Sequence, residues 1–162
     1  MKFSVSNNAA AAAAAAFFLL AGGPLASAQG GVMQPAPFEI TGFFAGTVPH
    51  SSQNYYTFTA SQGPDKTANC SANLLSYQHM ADVPVTACAS AQPPQWSFNF
   101  TRATDGAGAL LKVWLNDDKV ARLEGDHHIP ADQIVTSGVG TGIKEEYTGP
   151  HDFVITDVKV VA

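Results

Sequence analysis

Apolar and polar residues alternate along much of this chain, and alternation with a period of two is the side-chain pattern of a β-strand. The clearest case is Trp96-Ser97-Phe98-Asn99-Phe100-Thr101. On a strand, its three aromatic side chains point to one face and its three polar side chains to the other. The segment therefore predicts a strand whose aromatic face packs in a core and whose Asn99 lies on the solvent side.

Short segments of this kind recur between clusters of turn residues, and no long segment has the 3.6-residue period of an amphipathic helix. The segments are residues 38–44, 55–60, 67–71, 86–89, 96–101, 110–115, 120–123, 153–156 and 158–161. Residues 116–119 join two of them as a hairpin turn. This spacing predicts an all-β fold, a compact antiparallel β-barrel or two-sheet sandwich of about seven to eight or more strands.

Two stretches do not follow this pattern. Residues 73–85 are compatible with a short helix or a loop, and residues 129–150, with Gly138, Gly140 and Gly142, are typical of a long loop. The spacing of these glycines differs from that of a dinucleotide-binding loop. The late stretch therefore predicts no nucleotide site.

The first 28 residues have the three parts of a secretory signal peptide in order. Lys2 is followed by an alanine-rich apolar stretch over residues 9–21, and Ala26-Ser27-Ala28 supplies the small residues that a signal peptidase reads. A helix needs about 20 apolar residues to span a membrane, whereas Gly22-Gly23-Pro24 interrupts this stretch. We expect cleavage after Ala28, a flexible arm over residues 29–37, a β-barrel domain over residues 38–162 and an extracellular location.

The chain after residue 28 is mildly acidic. Seven Lys and Arg stand against thirteen Asp and Glu, which leaves a net charge of −6. Nucleic acids and anionic membranes bind clusters of Lys and Arg, and the sequence has no such run. We therefore expect neither nucleic acid nor, after processing, a membrane as a partner.

Cys70 and Cys88 are the two cysteines of the chain. In an oxidising compartment two cysteines favour a disulfide, which stabilises a fold by about 3 kcal/mol at this loop length; two buried free thiols are the alternative. Asn69-Cys70-Ser71 and Asn99-Phe100-Thr101 are acceptor motifs for N-glycosylation. Asn99 is expected on the solvent face, whereas folding around the bridge can hide Asn69.

No arrangement of residues predicts catalysis, a cofactor or a bound metal. Asp126-His127-His128 is the densest candidate cluster, but neighbouring residues of a strand point to opposite faces, so its two histidines are not expected to share a metal. The acidic pairs Asp117-Asp118 and Glu145-Glu146 lie in predicted turns, where solvated carboxylates are common. The sequence also lacks the Gly-x-Ser-x-Gly motif of a nucleophilic serine.

Three aromatic residues are candidates for a surface that binds a ligand or a partner: Tyr55, Tyr56 and Trp114. Aromatic side chains line many ligand pockets, and they are equally common in cores. Trp114 shares its strand face with Lys112, so it is the aromatic residue that the pattern places most strongly at the surface.

The order of the motifs resembles the secreted fungal β-barrel family typified by the major Alternaria allergen. The similar segments are residues 38–43, residues 55–58, Cys70-Ser71-Ala72, Cys88, residues 96–100 and residues 108–111. They look like the family's first two strands, its Cys-Ser-Ala motif with the partner cysteine, its next aromatic strand and a Gly-x-Leu-Leu return. The resemblance runs over most of the chain after residue 37.

The resemblance implies a protein secreted by a filamentous fungus, with a role in virulence as an effector, an elicitor of host defence or an allergen, and without established catalysis. It implies a host extracellular protein or a small phenolic ligand as the partner. Two family features are missing: the second disulfide, in the late loop, and the N-terminal cysteine that links two subunits. Because residues 29–37 contain no cysteine, a covalent dimer of that kind is excluded.

Three other functions remain open at the level of the sequence. One is a carrier of flavonoid-like ligands in an aromatic-lined barrel mouth. Another is a small secreted hydrolase that uses Asp126, His127 or His128. A structural role at a surface or wall is the third.

Overall fold

Eleven strands occupy most of the residues that the structure, a computed structural model, describes, which are residues 34–90, 95–117 and 121–161. At positions 117 and 121 only the backbone is described. The predicted signal peptide, residues 29–33 of the predicted arm and residues 118–120 of the predicted hairpin turn lie outside these ranges.

The strands are β1 Phe38–Thr47, β2 Gln53–Ser61, β3 Thr67–Leu75, β4 Val83–Ala87, β5 Gln95–Arg102, β6 Gly108–Asp117, β7 Ala121–Pro130, β8 Ile134–Ser137, β9 Lys144–Tyr147, β10 Phe153–Ile155 and β11 Val158–Val161. Two 3-10 turns, Ala131–Gln133 and Gly140–Gly142, precede and follow β8. Within the described ranges, no helix is long and apolar enough to cross a membrane.

Two antiparallel sheets form a sandwich, which confirms the predicted all-β class and selects the sandwich over the closed barrel. Sheet 1 has the order β3-β2-β1-β9-β8, and β10 also pairs with β1. Sheet 2 has the order β11-β7-β6-β5-β4. The predicted hairpin around residues 116–119 is present and is longer than expected, because β6 and β7 pair from Gly108 opposite Pro130 to Asp117 opposite Ala121.

One edge of β1 serves two strands. β10 pairs with its first three residues, and β9 pairs with it at Gly46. Between these two partners β1 bulges around Gly42, where φ is +64°. The N–H of Gly42 donates to a carboxylate oxygen of Asp152 at 2.8 Å. The connection between β9 and β10 therefore satisfies a backbone group that the bulge takes out of the ladder.

Three aromatic contacts join the two sheets through the core. The inward side chains of β5 meet three rings of sheet 1 in the pairs Trp96–Phe38, Phe98–Phe58 and Phe100–Tyr56. The ring centroids are 4.9, 5.0 and 5.2 Å apart in that order, and no ring is more than 3 % exposed. This confirms the predicted aromatic inner face of β5. Burying one such side chain contributes about 1.5–3 kcal/mol.

A disulfide between Cys70 and Cys88 joins the sheets along one edge, as predicted. Cys70 belongs to β3 of sheet 1, and Cys88 follows β4 of sheet 2. Beside it, the backbones of Asn69 and Ala89 exchange two hydrogen bonds of 3.1 and 2.8 Å. The seam between β3 and β4 is therefore closed by a covalent bond and a backbone bridge.

The prediction of a long loop over residues 129–150 is wrong, because this stretch contains β8 and β9, which pair as a short hairpin. Gly138 and Gly140 have φ values of +92° and +57° in its turn, a conformation that glycine adopts without strain. Strands of four residues give little alternation to detect. Residues 73–85, left open between helix and loop, continue β3, turn over residues 76–82 and begin β4.

The described end of the predicted arm, residues 34–37, has no regular secondary structure but makes two hydrogen bonds. The side chain of Gln34 donates to Thr156 O at 3.3 Å. The side chain of Gln62 donates to Ala36 O at 2.8 Å. These bonds attach the arm to the connection after β10 and to the turn after β2.

His127 lies on the inward face of β7 and contacts the other sheet. Its ring stacks on Phe153 of β10, with centroids 3.9 Å apart and planes 16° from parallel. Burial lowers the pKa of His127 from its ordinary value of 6.5, and the neighbouring His128 lowers it further. Protonation of His127 therefore opposes this contact between the sheets.

Replacing His127 with Phe is expected to weaken the loss of stability in acid. Because folding lowers the pKa of His127, the unfolded chain binds more protons, so stability falls as the pH drops from about 6.5 towards the folded-state pKa. The free energy of unfolding, from urea titrations at about pH 7.5 and about pH 5, should fall less in His127→Phe than in the wild type.

His79→Asn is the control for that experiment, because His79 is exposed in a turn. It should keep the wild-type decrease. The same decrease in His127→Phe would contradict the prediction.

Candidate functional site

Turns between consecutive strands gather at one end of the sandwich. Three of them join β1 to β2, β3 to β4 and β8 to β9. We call the surface formed by these turns, residues 48–52, 76–82 and 138–143, the loop end. The turn between β5 and β6 and the 3-10 turn after β7 lie at the same end of sheet 2.

A buried carboxylate supports the loop end from inside the sandwich. Glu145 of β9 is 5 % exposed, because strand alternation turns it inward and turns Glu146 outward. One oxygen of Glu145 accepts hydrogen bonds from the N–H of Met80 at 2.7 Å and from the Arg102 guanidinium at 2.5 Å. A buried charge is tolerated only with such partners. The expectation that both acids of this pair are solvated in a turn is wrong for Glu145.

Two side chains of β2 hold the turn of residues 76–82. Asn54 is fully buried, and its amide donates to Ser76 O at 2.8 Å and accepts from the N–H of Ala81 at 3.0 Å. The hydroxyl of Tyr56 donates to Ala81 O at 2.5 Å. Burial raises the pKa of Tyr56 well above its usual range, although the charge of Arg102 opposes the rise. The phenol therefore remains a hydrogen-bond donor.

Backbone strain is found where the turns meet. Among the described residues, His50 and Gln78 are the non-glycine residues with positive φ, at 59° and 65°. The N–H of His50 donates to Thr141 O at 3.3 Å, and the side chain of Gln78 donates to Gly140 O at 2.8 Å. Such a conformation costs about 1–3 kcal/mol and persists where surrounding contacts enforce it. Strained residues are concentrated at functional sites, so strain in two adjoining turns makes this surface a candidate binding site.

Large apolar side chains project from these turns and from the end of β3 beside them. Leu75, Tyr77 and Val139 are 77 %, 52 % and 86 % exposed. Tyr55, on the outer face of sheet 1, pairs with Asn73 and is therefore a diagonal neighbour of Leu75, at about 7–8 Å. Exposed apolar residues that lie together mark contact sites, and tyrosine is a frequent anchor in them.

The structure does not bring the three predicted surface aromatics together. Tyr55 is 39 % exposed and lies beside the loop end. Tyr56 points to the opposite face of the same strand and is a core residue at 1 % exposure. Trp114 lies on the outer face of sheet 2, opposite Ser97 and Glu124 on the neighbouring strands.

Trp114 is covered rather than presented to solvent. The guanidinium of Arg122 and the ammonium of Lys112 lie 5.1 and 6.0 Å from its ring centre, and its indole N–H donates to Glu124 at 2.7 Å. Burial opposes ionisation of Glu124, but the hydrogen bonds from Trp114 and Lys112 outweigh it and keep the pKa of Glu124 below its usual range. The charged side chains therefore occupy the ring surface that a ligand would use.

The cluster Asp126-His127-His128 is divided between two faces of β7. Asp126 lies on the outer face, 3.5 Å from the ammonium of Lys112 and 3.6 Å from that of Lys159. His127 faces inward, and His128 is exposed. In the part of the chain that the structure describes, no group of three or more His, Cys, Asp or Glu is placed to hold a metal ion.

Both candidate glycan sites lie on outer faces of the sandwich. Asn69 is exposed on β3, where its side-chain oxygen accepts a hydrogen bond from the Thr59 hydroxyl at 3.0 Å. The disulfide therefore does not hide it. Asn99 is half-buried on the outer face of sheet 2, opposite Lys112.

An open groove of about 240 Å³ follows β1 and β10 away from the loop end. It is lined by Glu39, Ile40, Thr41, Asp152, Phe153 and Val154. Ligand pockets usually enclose about 300–1,000 Å³. The groove is therefore small for a drug-sized ligand, and it carries two carboxylates.

The sequence patterns did not predict the exposed apolar residues of the loop end, Leu75, Tyr77 and Val139, which we call its anchors. One signal was present: on a strand, adjacent Leu74 and Leu75 cannot both face the core, and Leu75 is the one that faces out. Val139 stands alone between glycines, where no local pattern predicts whether a residue is exposed.

No protein-family model matches the sequence, and no curated protein matches it. The candidate site therefore rests on its geometry: joined turns, two strained residues and three exposed apolar side chains.

Glu145→Ala is expected to lower the free energy of unfolding by about 1–3 kcal/mol, because it leaves the buried N–H of Met80 and the half-buried guanidinium of Arg102 without their acceptor. Denaturant titrations followed by tryptophan fluorescence measure this change.

Glu146→Ala is the matched control, at the next position on the opposite face. Glu146 pairs with Lys144 at 2.7 Å on the surface, and such pairs contribute about 0–1 kcal/mol. Similar losses in the two variants would rule out a special structural role for Glu145.

Proposed function

We propose that this chain is a secreted, non-catalytic binding protein of the effector or elicitor type, and that it binds a host extracellular protein through the loop end. The observation that carries the proposal is the exposure of Leu75, Tyr77 and Val139 in and beside two adjoining turns, one of which, residues 76–82, is held in place by buried side chains. Burying apolar anchors is the main source of binding energy, at about 1.5–3 kcal/mol for each large side chain.

The support beneath the turns favours binding rather than a purely structural role. Ordering a loop or a side chain on association costs about 0.5–1.5 kcal/mol for each side chain that is fixed. Asn54 and Tyr56 donate hydrogen bonds to the turn of residues 76–82, and Glu145 accepts one from it, before any partner binds. Because the turn is already ordered, less of the free energy gained by burying the anchors is lost to ordering on association.

Other features support the extracellular part of the proposal. The N-terminal pattern fits a signal peptide, and a disulfide is typical of oxidising compartments. The order of motifs that resembles the allergen-typified fungal family adds the expectation of a role in virulence or as an allergen. Under this proposal Asn69 and Asn99 are glycosylated on faces that leave the loop end uncovered.

Leu75→Ser combined with Tyr77→Ser is expected to reduce capture of a protein from host extracellular fluid at least tenfold, because loss of about 1.4 kcal/mol is one decade in affinity. The measurement is a pull-down with the mature protein as bait, quantified by mass spectrometry.

The control is Val85→Ser combined with Val160→Ser, which changes two side chains that are 61 % and 60 % exposed outside the loop end. It should capture as the wild type does. Equal capture by both double variants, or no capture by the wild type, would refute the proposal.

A small phenolic ligand is the second candidate partner, and the groove along β1 and β10 is the observation that favours it. Phe38, next to the groove residues Glu39 and Ile40, packs on Trp96 at 4.9 Å. A phenolic ligand small enough for the groove is expected to quench the fluorescence of Trp96 when bound there, and Val154→Arg is expected to abolish the quenching by filling the groove. A flat titration of the wild type would exclude this candidate.

A further inference from the structure

The loop end carries an excess of negative charge around its apolar anchors. Asp82 closes the turn of residues 76–82, and Asp105 lies in the turn between β5 and β6. Both are exposed. The N–H of Arg102, the last residue of β5, donates to Asp82 at 2.7 Å, so the two turns adjoin.

The described cations nearest to these acids are already paired. Arg102 binds the buried carboxylate of Glu145. Lys144 donates to both oxygens of Glu146 at 2.7 Å. In each pair the positive charge is neutralised by its own carboxylate, so neither cation offsets the charge of the two exposed aspartates.

Other cations lie on a different face. Lys112, Arg122 and Lys159 belong to the outer face of sheet 2, where they surround Trp114 and pair with its acidic neighbours. These cations therefore do not offset the charge of Asp82, which lies in the same turn as the exposed anchor Tyr77.

We infer that the partner of the loop end presents a positively charged rim around an apolar pocket. The inference rests on the proposed function and specifies its partner. Interfaces commonly combine an apolar centre with a polar rim, and complementary rim charges act mainly on the rate of association and on the choice of partner. A basic extracellular protein meets both conditions, because its Lys and Arg side chains face the aspartates while its pocket receives the anchors.

Asp82→Asn combined with Asp105→Asn tests the rim without disturbing the fold. The Oδ1 atom of Asp82 accepts from the N–H of Arg102 at 2.7 Å, and that of Asp105 accepts from the N–H of Ala107 at 2.9 Å. Asparagine keeps this acceptor oxygen and removes only the charge. Asp65→Asn combined with Asp157→Asn makes the same change of charge at exposed positions of the opposite end.

The probe is host extracellular fluid separated by ion exchange into a basic and an acidic protein fraction. Each fraction is passed over four immobilised proteins. They are the wild type, the Asp82/Asp105 variant, the Asp65/Asp157 control, and the double variant Leu75→Ser with Tyr77→Ser. We expect a protein of the basic fraction to be captured, and we expect its capture to require Leu75 and Tyr77. At low salt, the Asp82/Asp105 variant should associate about three- to tenfold more slowly than the wild type and the control.

The difference should shrink at high salt, because the screening length falls from about 10 Å at 0.1 M to about 3 Å at 1 M. Capture that depends on Leu75 and Tyr77 but comes from the acidic fraction would overturn the inference and keep the proposed function. If the Asp82/Asp105 variant associates as fast as the wild type, the inference is also overturned and the proposed function is kept. Capture that is independent of Leu75 and Tyr77 in both fractions would overturn the proposed function and the inference together.

Discussion

The aromatic contacts between β5 and sheet 1 are the interaction on which the rest of the molecule depends. A sheet with one apolar face has to bury that face against another layer, and here six rings meet in three pairs across the gap. The last pair, Phe100 with Tyr56, lies nearest to the loop end. Tyr56 packs its ring in the core and bonds the turn of residues 76–82 with its hydroxyl. The packing of the layers and the position of the candidate site therefore share a residue.

Polar groups extend this coupling from the core to the surface. Burying Glu145 and Asn54 has an electrostatic cost that apolar residues would avoid. That cost is offset by bonds to backbone groups of a turn that has no ladder partners of its own. The buried polar residues thus replace a sheet as the support of the turn. A turn supported in this way can keep strained residues such as Gln78 at its rim.

The strands and the core were predictable wherever burial of one face imposes a period of two, as it does in β5 and in the hairpin of β6 and β7. Prediction failed at β9, because four residues with three charges do not alternate in a recognisable way and the partners of Glu145 come from distant parts of the chain. Trp114 was predicted to belong to a binding surface, but it is 6 % exposed, and part of its cover comes from Arg122 on another strand. The anchors of the loop end are exposed because the sheet ends beside them, and the local sequence does not encode where a sheet ends.

The position of β1 beside β10 has a consequence for the order in which the chain can fold. The hydrogen bond between Gly42 and Asp152 spans 110 residues, whereas the disulfide spans 18. During synthesis, the seam of β3 and β4 can therefore close and oxidise while β1 still lacks the neighbours on one of its edges. An open strand edge is a template for pairing with other chains. Between the synthesis of β1 and the pairing of β9 and β10 with it, pairing of this open edge with other chains competes with folding.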